Sequence, residues 1–309
     1  MTADVQSPAI ADTGSGVAAA VDRSPRRSVV RYGSWFFCAG CLLLIWAGSD
    51  RVPADPNAVL NLQGHQPAEP SVDDRLRLAT FNIHGGRGHR AAVDLDKTAA
   101  CLQDLDFVGI YEVHGGVLTN QAQDLGQRLA MRNCFVPTER RWWHDHFGNG
   151  ILSRVPLSGL YRLPLECTQG KKYRNAVLSV VDLPAGSVRI LSVHLDRRRD
   201  RRRQLTAVTR LFLSLESPAV LMGDLNTTRS DEILQRTLQH PDVVDVLADT
   251  KFADDSRRID WMLVRGLRCL DAELVDNRSS DHPVIRAELA WGLSADQAVQ
   301  QVGLRRLSE

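Results

Sequence analysis

Residues 220–227 read VLMGDLNT, an apolar run that stops at Asp224, with Asn226 two positions further on. In an extended chain residues i and i+2 share a face. Asp224 and Asn226 are therefore expected to point the same way from the end of a buried strand. An aspartate at a strand end is also ordinary turn chemistry, so the rest of the chain has to decide between the two readings.

Working outward, short apolar runs alternate with helical spacings. Strands are expected over 76–83, 107–112, 148–153, 173–183, 188–195, 220–223, 259–264, 267–274 and 283–289, and helices over 95–105 and 204–215. In the second helix Leu205, Val208, Leu211, Phe212 and Leu215 fall on one face. Strands that follow one another directly imply antiparallel pairs, and strand–helix–strand stretches imply helices layered on the sheets. The expected architecture is an α/β fold of two mixed β-sheets packed face to face with helices outside, beginning near Leu76.

Polar side chains gather where these apolar runs end. Asn82 closes the first strand and Glu112 the second. His194 ends another, within HLD, and Asp224 with Asn226 ends the next. Asp260 lies in RRIDWMLV, and Asp281 and His282 precede the last strand in SSDHPVI. This collection suits hydrolysis of a phosphate ester. Oxygen ligands such as Glu112 favour a hard cation, Mg²⁺ or Mn²⁺, which neutralises phosphate charge and steadies the leaving oxygen. Asp224 can align and deprotonate water, and Asn226 can donate to a phosphoryl oxygen. His282 with Asp260 behind it holds one tautomer and tolerates positive charge, while His194 can donate to the phosphate.

The ordered set TFNIHGG, IYEV, GNGILSR, SVHLD, MGDLNT, RIDWMLV and SDHPVI, covering about residues 76–290, resembles the endonuclease/exonuclease/phosphatase superfamily of metal-dependent phosphoesterases. The resemblance implies a four-layered α/β sandwich and Mg²⁺-dependent phosphoester hydrolysis. It implies Asn82 and Glu112 at the metal, Asp281 by the metal or phosphate, and His194 on the phosphate. Asp224 would align the nucleophilic water, Asn226 would stabilise the pentacovalent state, and Asp260 would orient His282. Arg174, in KKYRNAV, sits where the superfamily often carries a basic residue facing the substrate. Two departures stand out: Tyr111 precedes Glu112 where the family usually has glutamine, and Gly150 replaces the usual alanine.

The 309 residues, 43% hydrophobic with net charge +1, suffice for one large domain and give no general polyelectrolyte character. Residues 1–31 are expected to be a disordered tail ending in Arg23, Arg26, Arg27 and Arg31. Residues 32–48, YGSWFFCAGCLLLIWAG, carry no charge and fit a transmembrane anchor or a signal segment. The arginines before it place the N-terminus in the cytoplasm and the remainder outside. The expected location is thus the cytoplasmic membrane, single-pass with an extracytoplasmic catalytic domain, or secretion after cleavage. Residues 49–75, with four prolines, read as a linker, 76–290 as the catalytic domain, and 291–309 as a C-terminal tail. Cys101, Cys134, Cys167 and Cys269 are scattered, and spacing does not pair them.

The run DRRRDRRRQL (196–205) holds six arginines and two aspartates, and reads either as a phosphate-binding patch or as a solvated loop. WWHDH (142–146) reads as a substrate-side loop, with His84 and His114 as candidates to line a cleft. The expected activity is phosphodiester or phosphomonoester hydrolysis by a membrane-tethered or exported enzyme. A DNA or RNA nuclease is the alternative within the enzyme class, and a non-catalytic binding module the alternative outside it; the intact set Glu112, Asp224, Asn226, Asp260 and His282 speaks against the module. The partner expected is a phosphate-ester substrate (lipid headgroup, nucleotide, nucleic acid or organic phosphate), with the membrane engaged through 32–48 and no protein partner.

Overall fold

The computed structural model describes residues 26–49, 51–64, 75–88, 92–141, 144–168, 173–276 and 278–292. Residues 1–25, His89, Trp142, Trp143 and 293–309 therefore lie outside the described residues, and with them most of the expected tails. The chain divides into two compact units, Met1–Ala47 and Gly48–Glu309.

In the first unit, α1 runs from Arg26 to Ser49. Arg26–Arg31, expected in the disordered tail, are its first turns, as the high helix propensity of arginine allows. Trp35, Phe36, Phe37 and Leu42–Ile45 are exposed on it. Among the described residues no helix is long and apolar enough to cross a membrane; the spanning segment expected over 32–48 is met by a helix, not by a demonstrated span.

The second unit is built from two mixed sheets. The seven-stranded sheet has the order β1-β4-β5-β3-β2-β13-β12, where β1 is Val52–Pro53, β2 Arg75–Asn82, β3 Phe107–His114, β4 Arg132–Arg141, β5 His144–Ser153, β12 Leu267–Val275 and β13 Val284–Trp291. The six-stranded sheet has the order β10-β11-β9-β8-β7-β6, with β6 Leu157–Pro164, β7 Asn175–Leu183, β8 Gly186–His194, β9 Ala219–Asp224, β10 Val244–Asp245 and β11 Asp260–Arg265. Each sheet contains a parallel pair, β2 with β3 and β8 with β9. Each pair is crossed over by a helix, α2 (Leu95–Ala100) and α4 (Arg201–Ser214) respectively. The remaining helices are α3 (Gln121–Leu129) and α5 (Glu232–Leu238).

Three apolar clusters separate four layers. Leu76, Leu78, Phe107, Ile190, Val220, Met222, Met262 and Ile285 fill the space between the sheets. Phe81, Ile83, Val108 and Ile110 meet α2 and α3 through Leu95, Ala99, Leu125 and Leu129. Leu191, Val193, Leu221 and Leu263 meet α4 and α5 through Leu205, Val208, Phe212 and Leu234. The expected four-layered α/β sandwich is thus the fold.

The segment expected as a linker behaves differently over its described part. β1 pairs antiparallel with β4, Val52 opposite Arg140 and Pro53 opposite Glu139. Gln63 bridges Asn133 through reciprocal backbone hydrogen bonds of 2.7 and 2.8 Å. Leu60 and Leu62 pack against the inter-sheet core. Residues 51–64 are therefore a strap on the edge of the larger sheet. Prolines tolerated at a sheet edge and apolar residues without regular spacing hid this from the sequence. The domain begins before Leu76, not at it.

Candidate active site

Strand alternation delivers most of the site. Along β2 the residues facing the other sheet are Leu76 and Leu78, and the same parity leads to Thr80 and Asn82. Along β8 it runs Val188, Ile190, Ser192, His194; along β9, Val220, Met222, Asp224. Along β11, Met262 and Val264 share the parity of Asp260. Asp224 and Asp260 are opposed in register, as are His194 and Asp224. The space between the sheets therefore opens at one end on Asn82, His194, Asp224 and Asp260, all nearly fully buried.

Glu112 obeys another rule. Val108 and Ile110 face the helices, so alternation would send Glu112 there too. Instead it has φ +57°, and the pairing of β3 with β5 shifts between Ile110 and Val113. A bulge of this kind re-aims a side chain. Glu112 Oε1 stands 3.8 Å from His194 Nε2.

Asp224 is the hub. Its Oδ2 accepts from Asn82 Nδ2 at 3.1 Å and its Oδ1 from the Asn226 N–H at 2.8 Å. His194 Nε2 lies 3.4 Å and His282 Nε2 3.9 Å from Oδ2. Burial, followed by repulsion from Asp260, pushes its carboxyl up to about 7. Gly223 precedes it at φ +145°, where a Cβ would lie 1.8 Å from the Val193 carbonyl oxygen; only glycine lets β9 run this close to β8.

His282 Nδ1 and Asp260 Oδ2 are 2.7 Å apart. Burial alone would lower the imidazole, but the hydrogen bond and charge of Asp260, with Asp224 and Asp281, push it up to about 9. Burial raises the Asp260 carboxyl, and His282 opposes that rise. The loop carrying His282 is pinned by Ser280, whose Oγ donates to the Asn82 carbonyl at 2.7 Å and accepts from the His282 N–H at 3.2 Å.

Asn226 corrects the opening expectation. β9 ends at Asp224, and Asn226 has φ +48°, so alternation does not carry through to it. Its backbone N–H closes a turn on Asp224 and its Nδ2 donates to the Leu195 carbonyl at 3.0 Å. It is held beside Asp224 by a turn, with one amide hydrogen left for other use.

The expected metal residues are not bunched. Asn82 Oδ1 accepts the His84 N–H at 3.1 Å, and Asp281 Oδ1 lies 3.4 Å from His84 Nδ1 on the exposed rim. Among the described residues one group of three, Asp224, Asp260 and His282, has ligand atoms within 4.8 Å of one another. His282 and Asp260 are already hydrogen bonded to each other, a carboxylate–imidazole pair with His282 Nε2 3.9 Å from the Asp224 carboxylate. Glu112, Asn82 and Asp281 each carry an oxygen donor of the kind that suits a hard cation.

Arg174 packs over the Phe147 ring with its guanidinium carbon 5.7 Å from the centroid. Its Nε is buried without a hydrogen-bond partner among the described residues. Burial lowers its pKa, opposed by the charges of Glu112, Asp196, Glu139 and Asp224.

Further residues support these. Tyr111, in the place where glutamine is usual, is buried between the sheets; its hydroxyl accepts from Thr80 at 3.1 Å and donates to the Met222 carbonyl at 3.2 Å. Its ring meets the His194 ring edge-on at 6.3 Å. Asn149 Nδ2 donates to Asn175 Oδ1 at 2.8 Å, tying the sheets together beside Arg174. Tyr111 stands out in the sequence as a departure from the usual glutamine, whereas Asn149 and Asn175 are not singled out there. His144 and His146, expected on a loop, are on β5, and the His146 ring lies 5.9 Å from that of His114.

A sandwich of this topology with carboxylates and imidazoles at one rim belongs to the class of phosphoesterase and nuclease folds. The chain belongs to the endonuclease/exonuclease/phosphatase family, whose model matches residues 79–282. Similar solved structures include the endonuclease/exonuclease/phosphatase from Beutenbergia cavernae, at 23% identity and TM-score 0.57, covering 71% of this chain and 72% of that one. Another is D. rerio TDP2 complexed with single-strand DNA product, at 17% identity and TM-score 0.55, covering 70% and 99%. The human Nocturnin catalytic domain with bound sulfate is similar at 15% identity and TM-score 0.54, covering 70% and 93%. No curated protein matches the chain.

Proposed function

We propose that the protein hydrolyses a phosphate ester, phosphodiester or phosphomonoester, with a divalent cation. The observation that carries this is Asp224, a buried carboxylate pushed up to about 7 and flanked by His194 and His282. A base with a pKa near working pH is matched to taking a proton from water. Glu112, with Asn82 and Asp281, would hold Mg²⁺ or Mn²⁺, which supplies charge neutralisation at the phosphate and the leaving oxygen. Asp224 orients a water and accepts its proton as the water oxygen bonds to phosphorus and the ester P–O bond breaks. His282, kept cationic by Asp260, and His194 donate to phosphoryl oxygens. The second amide hydrogen of Asn226 and the guanidinium of Arg174 face the charge that builds up there.

The test is turnover of bis(p-nitrophenyl) phosphate and p-nitrophenyl phosphate by the full chain. Activity that is abolished by EDTA and restored by Mg²⁺ or Mn²⁺ is the expected result. No hydrolysis of either ester with any divalent ion overturns the reading. Membrane attachment through α1 is a separate proposal. It is supported by the exposed Trp35, Phe36, Phe37 and Leu42–Ile45 and by the arginines at its start. Recovery of the full chain in the soluble fraction of lysed cells would count against it.

A further inference from the structure

The arginine run after His194 splits into two kinds of residue. Arg201, Arg202 and Arg203 are engaged: Arg201 Nη1 donates to the Asn226 carbonyl at 3.0 Å, Arg202 lies 4.0 Å from Glu232, and Arg203 pairs with Glu166. Arg197, Arg198 and Arg199 are all exposed, and among the described residues their guanidinium groups make no hydrogen bond or ion pair. The two aspartates of the run, which a reader of the sequence would set against them, are turned inward. Asp196 accepts the N–H groups of Arg199 and Asp200 at 2.9 and 3.1 Å. Asp200 accepts from the Thr168 N–H and hydroxyl at 2.9 and 2.7 Å. Burial alone would raise the Asp196 carboxyl, yet those backbone donors hold it below the usual range.

The turn is fixed to the catalytic rim at both ends. His194 is three residues before Arg197, Asn226 Nδ2 holds the Leu195 carbonyl, and Arg201 holds the Asn226 carbonyl. It leads straight into α4, whose N-cap residue is Asp200.

We propose that Arg197, Arg198 and Arg199 form a docking surface for the phosphate backbone of a nucleic-acid strand, holding phosphates that flank the one at Asp224. The proposal rests on the hydrolytic reading of that site and adds a substrate class to it. Three cations beside a single scissile phosphate exceed what a small ester presents, whereas a nucleic acid offers a regular row of charges. Guanidinium forks fit phosphate oxygens two at a time. A bilayer is the poorer fit, because among the described residues between Leu163 and Leu238 no large apolar side chain is exposed to insert among lipids. Among the same described residues no aromatic is exposed either, so contacts would be to the backbone and indifferent to base sequence.

The test uses the full chain carrying Asp224→Asn, so that a fluorescent single-stranded oligonucleotide survives. Binding is followed by anisotropy across salt concentrations. Replacing Arg197, Arg198 and Arg199 with Gln should weaken binding roughly 100-fold at 0.1 M salt and lower the salt slope by about 2, the value for three phosphate contacts on a single strand. Arg202→Gln with Arg203→Gln removes two charges from engaged positions and should change affinity far less than two thirds of that effect on a logarithmic scale. Equal losses in the two variants, or no loss in the first, overturn the proposal. So does an unaltered oligonucleotide affinity accompanied by lost binding to phosphatidylglycerol vesicles. Because binding is read without turnover, failure of the hydrolytic reading would show separately, as absent ester cleavage with oligonucleotide binding intact.

Discussion

Two carboxylate–histidine pairs stand at the same rim of the sandwich. Asp260 and His282 are 2.7 Å apart, with side chains only 7% and 15% exposed. Asp281 and His84 are 3.4 Å apart and 57% and 47% exposed. The chemical groups are the same, and His282 even follows Asp281 directly in sequence. Burial separates them. The inner pair has few waters to compete with it and shares its field with Asp224, so its charges are strongly coupled. The outer pair is solvated and screened, and such pairs contribute about 0–1 kcal/mol.

The contrast can be broken in several places. The largest effect is expected at the carboxylate beside the inner pair: Asp224→Asn should lower kcat about 10²–10⁴-fold while far-UV circular dichroism stays unchanged. Near wild-type turnover would remove Asp224 as the base. Next come Asp260→Asn and His282→Ala. If Asp260 acts through His282, the double variant should lose little more kcat/KM than His282→Ala alone; plain additivity would separate their roles.

Stability should report the inner pair too. The folded pKa of His282 is raised from 6.5 to about 9. Its contribution is therefore fully present below pH 6.5 and is lost as pH rises through about 9. The Tm advantage of wild type over Asp260→Asn should shrink across that window in melts without metal, and a constant gap would show that the imidazole is not the titrating partner.

Glu112→Gln should weaken Mg²⁺ at least as much as the roughly 10–100-fold typical of losing an outer-shell partner. Unchanged calorimetric titration would move the cation elsewhere. The smallest change is expected at the outer pair: His84→Ala should cost no more than about 1 kcal/mol in stability. A larger loss measured by urea unfolding would make the two pairs equivalent after all.

What the sequence made legible follows from where regular geometry holds. Asn82, His194, Asp224 and Asp260 all sit on the parity of an apolar run, so the pattern that fills the core also aims the site. Glu112 was found as a strand-end acid, but its direction depends on a backbone irregularity that no alternation encodes. Asn226 was placed correctly beside Asp224 for the wrong reason, because the strand had already ended. β4 was not anticipated, since RNCFVPTERR carries charges and Pro137, next to an irregularity in its pairing with β5. The division within the arginine run was invisible, because which aspartate turns inward is decided by tertiary donors such as Thr168.

The strap bears on how the protein can be handled. β1 is two residues long, yet with Gln63 it covers the β4 edge of the larger sheet, and Leu60 and Leu62 close over the core behind it. A truncation starting near Leu76 would bare unpaired backbone groups along β4 together with the apolar seats of those leucines. An uncovered edge of that kind is a template on which other chains add strands. The expected outcome is aggregation of an otherwise correctly folded sandwich, prevented when the chain is kept from Arg51 onward.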